Sequence, residues 1–311
     1  MWRIAQAPSI CVLVSASLLS CAETQQANSV LVDASRNRSI QYKVWLPRVD
    51  GPAPLVIISH GTRGHISDHR WLADALVESG FAVVALNHPH DTRMDSTPAG
   101  MLRVWDRSLD ISLLLTSLLN DPQWNESIDV ERIGAAGYSS GGQTVIALAG
   151  GIYDPVLMGK YCASDRKGPE CDLAEIVDID FTDAGRSYRD ERIKAVFAMA
   201  PPLGPGMIAD ELAQIEVPVG IVTAQDDDLI TPAHHSEHYA RHIPDAQLTL
   251  VPKGGHFIFV TTCAIVPTIV DFFIKEIDMC GREIDIDRES VQKNVAGLAI
   301  EFFETKLVSP D

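Results

Sequence analysis

The stretch RIGAAGYSSGGQTVIALAGG, residues 132–151, decides the fold. Ile133 to Ala136 is a short apolar run of the kind that forms a buried strand, and the apolar run from Thr144 to Leu148 suits a helix. Ser139 sits at the corner between them. Gly137 and Gly141, two positions before and two after it, allow a tight strand-to-helix turn that leaves the serine hydroxyl exposed, the geometry of a nucleophile elbow. The bare G-x-S-x-G pattern also occurs at turns without chemistry, so its weight depends on partners elsewhere in the chain.

Outward from the elbow, buried runs alternate with helical ones. Pro54 to Ser59, PLVIIS, is continuously apolar, as a central parallel strand is, and leads straight into His60-Gly61-Thr62-Arg63-Gly64. Phe81 to Leu86, Ile193 to Met199, Val217 to Thr223 and Leu248 to Val251 read as further strands, and Ile40 to Leu46 alternates like an edge or antiparallel one. Helical patterns cover His69 to Ser79, Val104 to Leu119, Ile265 to Ile277 and Ser290 to Phe303. Glu23 to about Arg38 reads as a polar stretch without an element, and 153–191, broken by Gly, Pro and Asp, reads as an insertion. No repeat or flexible linker divides the chain. The expectation is one doubly wound α/β domain over 22–311, its mostly parallel sheet of about eight strands flanked by helices on both faces.

In such sheets the loops at the carboxyl ends of the strands build the site, and each remaining motif falls there. A serine hydroxyl is a poor nucleophile until a neighbour takes its proton. His256, in the tight turn Gly254-Gly255-His256-Phe257 after the last strand, is placed to do so; His234, His235, His238 and His242 lie in a polar helical stretch and read as surface residues. The base needs a carboxylate to hold its tautomer. The turn Gln225-Asp226-Asp227-Asp228-Leu229-Ile230-Thr231-Pro232 offers three: Asp228 is the first choice, Asp227 the second, and Asp226 is expected to cap or face solvent. Calcium is disfavoured, because the alternating aspartate spacing of a calcium loop is absent. An oxyanion hole would take the N–H of Ser140, at the positive end of the elbow helix, and that of Thr62, where Gly61 lets the backbone approach. His60 then supports the turn. Ser, Asp, His, with an oxyanion turn upstream, is the chain order of the α/β-hydrolase triad, and this chemistry needs neither metal nor cofactor.

Composition and targeting bound the rest. The chain has 311 residues, 46% of them hydrophobic, enough for a substantial core. A formal charge of −17 with no clustered basic face argues against nucleic acid as a partner. Met1 to Cys21 reads as an export signal: Arg3 gives the positive start, Ile10 to Leu19 the apolar centre, and no acidic residue precedes Glu23. Leu18-Leu19-Ser20-Cys21 resembles a bacterial lipobox, which makes Cys21 a lipidation candidate and the protein either periplasmic or anchored to a membrane. In an oxidising compartment the four cysteines beyond it allow three pairings; Cys162 with Cys171 and Cys263 with Cys280 each close a local loop, and a zinc site lacks its usual ligand spacing.

With these motifs in place, the sequence resembles the α/β-hydrolase superfamily over nearly all of its exported part. More narrowly, it resembles the predicted dienelactone hydrolases of bacteria, which share a signature with platelet-activating factor acetylhydrolase. The matching stretches are PLVIISHGTRG, HRWLADALVESGFAVVALNHP, RIGAAGYSSGG, RIKAVFAMAP, IVTAQDDDLITP and VPKGGHFIFV. The resemblance implies Ser139 as nucleophile, His256 as base, Asp228 as orienter, and Thr62 and Ser140 as oxyanion donors. Two departures qualify it. Dienelactone hydrolases proper use a cysteine where Ser139 stands, and relatives often carry His and Phe at Tyr138 and Ser140. The implied activity is cleavage of a small, short-chain carboxylic ester through an acyl-enzyme. The alternatives are a phospholipase of the acetylhydrolase type or an inactive surface-binding protein on a hydrolase scaffold.

Overall fold

The computed structural model describes residues 25–165, 168, 171, 179–261 and 286–309. Strands β1 (Gln25–Asp33) and β2 (Arg38–Leu46) form an antiparallel hairpin. Next come β3 (Ala53–Ser59), α1 (Arg70–Glu78), β4 (Ala82–Leu86), α2 (Pro98–Leu102) and α3 (Trp105–Asn120). The elbow elements are β5 (Ile128–Tyr138) and α4 (Ser140–Ala149), followed by α5 (Pro155–Cys162) inside the insertion. The chain continues through β6 (Ile193–Met199), α6 (Ala209–Leu212), β7 (Val219–Ala224), α7 (Ser236–His242), β8 (Ala246–Val251) and α8 (Arg288–Phe303). One eight-stranded sheet runs in the order β1-β2-β4-β3-β5-β6-β7-β8. The pairs β1–β2 and β2–β4 are antiparallel, and every pair from β4 onward is parallel.

Strand periodicity puts successive side chains on opposite faces. In β3, Leu55 and Ile57 join α3, α4 and α7 on one side, while Val56 and Ile58 join α1 and α8 on the other. Both faces are covered, so β3 is buried throughout and reads as an unbroken apolar run.

The hairpin strand β1 corrects the reading of 23–38 as a stretch without an element. Its apolar residues are split between the faces: Val30 and Val32 are 59% and 66% exposed, while Ala27 and Leu31 pack on the core. That division hides the period. The turn chemistry was the available signal, since the Asp33 carboxylate accepts the N–H groups of Ser35 and Arg36 and Asn37 takes a positive φ of 52°. His235 is a second correction. It is fully buried, with Nδ1 accepting the Gly204 N–H at 3.2 Å, because α7 turns that side toward the loop after β6.

Candidate active site

Ser139 stands between β5 and α4 with φ 51° and ψ −121°, a conformation that costs a non-glycine residue free energy and persists only when neighbours enforce it. The enforcement is visible. The Ser139 N–H donates to the Met199 carbonyl at 2.8 Å, tying the corner to the end of β6. A Cβ on Gly137 would lie 2.1 Å from the Gly141 carbonyl oxygen, and one on Gly141 would lie 2.1 Å from that of Ser59. Both glycines are therefore fixed by close backbone approach, as the motif requires. Gly61 lies against the Tyr138 ring and Ser139 Cβ.

His256 opens the one-turn helix His256–Phe259 that follows β8 and is 5% exposed. Its Nε2 lies 3.0 Å from Ser139 Oγ, and its Nδ1 lies 2.7 Å from Asp227 Oδ2. An ionised carboxylate only accepts, so Nδ1 carries the hydrogen and Nε2 is left to accept from the serine. The other Asp227 oxygen, Oδ1, accepts the N–H groups of Leu229 and Ile230 at 3.1 and 2.7 Å. This corrects the choice of Asp228. Asp227 is 2% exposed and folds back over its own turn toward His256, whereas Asp226 and Asp228 are exposed.

Tyr138 belongs to the site, although its motif position is free to vary. Its hydroxyl donates to the His256 carbonyl at 2.9 Å, and its ring lies 5.2 Å from the imidazoles of both His256 and His69. Thr62 and Ser140 come together, with hydroxyl oxygens 2.5 Å apart. Neither of their backbone N–H groups donates to another group among the described residues, so both remain available to an oxyanion.

Under the turn after β3 lies a buried polar network. His60 donates from Nδ1 to the Gly61 carbonyl at 2.7 Å and accepts the His88 N–H at Nε2, 3.1 Å away. His88 in turn reaches Ser59 Oγ and the Asp110 carboxylate, which Arg38 grips with two donors at 2.8 and 2.6 Å. Burial pushes His60 and His88 well below the ordinary imidazole value and His69 down to about 4. Burial pushes Asp91 the other way, up to about 6, against the pull of Arg107.

The stability consequence has a definite sign. Below pH 6.5 the unfolded chain binds protons that the three buried imidazoles refuse, so stability falls as pH falls. At pH 5, His69 alone accounts for about 2 kcal/mol, and Asp91, which takes a proton near 6 in the folded state, offsets about 1.4 kcal/mol. His60 and His88 act in the same direction as His69, and Asp110 in the same direction as Asp91, so urea denaturation should give a lower stability at pH 5 than at pH 7. An unchanged or higher midpoint at pH 5 would mean that these imidazoles charge in place.

The described part of the insertion packs on the start of α3 and the loop after β6. Cys162 and Cys171 form a disulfide, as expected. Phe181 lies 6.0 Å from Trp105 ring to ring, and Ala184 and Tyr188 join Trp105 and Leu203 in a small apolar cluster. Cys21, Cys263, Cys280, the export segment 1–21 and the helix expected over 265–277 lie outside the described residues. Among the described residues, no helix is long and apolar enough to cross a membrane, and no group of three or more His, Cys, Asp or Glu could hold a metal ion.

The fold and corner geometry define a class. The protein has the α/β-hydrolase fold. It is similar to a dienelactone hydrolase from Anabaena variabilis, with a TM-score of 0.57 and 15% identity over 91% of this chain and 99% of that one. It is also similar to a ferulic acid esterase from Streptomyces cinnamoneus, with a TM-score of 0.60 and 17% identity over 95% and 93% of the two chains. An acylaminoacyl peptidase from Pyrococcus horikoshii aligns at a TM-score of 0.59 and 13% identity, over 94% of this chain but 43% of that one. No protein-family model matches the sequence, and no curated protein matches it.

Proposed function

We propose that the protein is a serine hydrolase of small carboxylic esters. The observation that carries this reading is the continuous chain Ser139 Oγ, His256 Nε2, His256 Nδ1, Asp227 Oδ2, with steps of 3.0 and 2.7 Å, at a corner that holds the serine in an enforced conformation. Ser139 attacks the ester carbonyl as His256 takes its proton. The tetrahedral oxyanion is held by the N–H groups of Thr62 and Ser140, and collapse returns the proton to the leaving alcohol. Water, activated by the same imidazole, then releases the acid. Asp227 orients the ring and balances the imidazolium that forms.

One observation favours an ester over a peptide. The esterase and dienelactone hydrolase align over nearly their whole chains, whereas the peptidase has more than half its length outside the match. We place the protein outside the cytoplasm as a Cys21 lipoprotein or its cleaved counterpart, a reading favoured by the apolar Met1–Cys21 segment and the Cys162–Cys171 disulfide.

The experiment is hydrolysis of p-nitrophenyl esters of increasing acyl length by wild type and Ser139→Ala, with circular dichroism on both. The expected result is activity highest on acetate and butyrate, reduced in the variant by about 10⁶-fold, the scale of losing a serine nucleophile. A folded wild type inert on every ester, or a variant as active as wild type, would remove Ser139 from the role.

A further inference from the structure

Arg107 lies near the start of α3, outside the serine, histidine and aspartate chain, yet its side chain is 1% exposed and each of its three guanidinium nitrogens is engaged. Nη1 donates to Asp91 Oδ2 at 2.6 Å. Nε donates to Thr144 Oγ1 at 3.1 Å, and Nη2 donates to Ser59 Oγ at 3.3 Å and to the His60 carbonyl. The acceptors serve two parts of the oxyanion apparatus, the turn after β3 and the start of the elbow helix. Ser59 and His60 form the end of β3 and the start of the turn that presents Thr62. The other Asp91 oxygen accepts the Arg63 N–H at 2.8 Å, one residue beyond Thr62. The Thr144 hydroxyl donates to the Ser140 carbonyl at 2.7 Å, in the first turn of the elbow helix.

We infer that the buried Arg107–Asp91 pair is a positioning device for the oxyanion hole, holding the turn that carries Thr62 and the helix start that carries Ser140 at a fixed spacing. The inference rests on the serine hydrolase reading and deepens it. A planar guanidinium has donors in a rigid fork, so its four acceptors are fixed relative to one another as well as to it. Thr62 and Ser140 meet through their hydroxyls, and the fork supplies a second point of attachment beneath them. Two donors must sit within hydrogen-bond reach of one oxygen in the tetrahedral state, and their spacing matters more there than for the ground-state carbonyl. Loosening the fork should therefore lower kcat and leave KM little changed.

The test uses the full-length protein with p-nitrophenyl acetate and a trifluoromethyl ketone that forms a tetrahedral adduct with the serine. The double variant Arg107→Met with Asp91→Asn avoids leaving one buried charge alone, and Thr144→Val removes a single strand of the clamp. The double variant should lose about 10²-fold in kcat and Thr144→Val about 10-fold, with KM within about 3-fold of wild type in both. Ketone affinity should fall in parallel with kcat. Arg107→Lys supplies the discriminating readout: its ammonium restores the charge beside Asp91 and most of the melting temperature, but it cannot span the acceptors, so kcat stays depressed. If kcat recovers with stability in Arg107→Lys, or folded Thr144→Val keeps wild-type kcat and ketone affinity, the positioning role is wrong and the pair is structural only. A wild type inert on esters would overturn the hydrolase reading and this one together; an active wild type with unaffected variants overturns this one alone.

Discussion

Asp227→Asn should lower kcat for p-nitrophenyl acetate by about 10⁴-fold while Asp228→Asn stays within about two-fold of wild type. The two residues are adjacent, carry the same charge and sit in the same turn, so the contrast isolates geometry. Asp227 places a carboxylate oxygen 2.7 Å from His256 Nδ1. An amide there can turn its NH₂ toward the ring, which favours the tautomer with hydrogen on Nε2 and leaves no lone pair to take the serine proton. The amide oxygen of that variant can still accept the Leu229 and Ile230 N–H groups, so the turn and the melting temperature should change little. Asp228 is exposed, and neutralising it leaves the carboxylate that touches the imidazole in place. Equal losses in the two variants, or a loss confined to Asp228→Asn, would return the orienting role to Asp228.

The choice between those aspartates marks how far the sequence could be read. Continuous apolar runs located the central strands, because burial on both faces leaves no room for polar alternation. The strand-serine-helix corner located Ser139, and the late glycine-rich turn located His256. What stayed hidden depends on side-chain direction within irregular turns. Asp227 points inward because its own Oδ1 captures two following N–H groups, a local preference that three consecutive aspartates share until the chain has folded. Arg107 and Asp110 were masked for a different reason: they lie on the buried side of α3, where the helical pattern leads one to expect apolar residues. Charged residues breaking such a stripe were the available sign of a polar network, and in the folded chain they lie beneath the turn after β3. The edge strand β1 escaped because an edge can carry valines on its open face.

Gly141→Ala, adding one methyl group, should cost at least about 3 kcal/mol of stability and at least about 10²-fold in kcat, whereas Gly297→Ala should stabilise the protein by about 0.5–1 kcal/mol. The same substitution has opposite signs because the two hydrogens it replaces face different surroundings. A Cβ at Gly141 would lie 2.1 Å from the Ser59 carbonyl oxygen and 2.8 Å from that of His60, both backbone atoms that no rotamer change can move. Relief requires the end of β3 and the elbow helix to part, and the turn after β3 and that helix carry the two proposed oxyanion donors, so stability and turnover should fall together. At Gly297, on the exposed side of α8, a Cβ would meet nothing within 4 Å, and the helix gains alanine's higher propensity. Thermal melts and kcat on the two variants separate the effects. If Gly141→Ala melted with wild type, β3 and the elbow would not be in backbone contact, and an oxyanion hole shared between them would lose its structural basis.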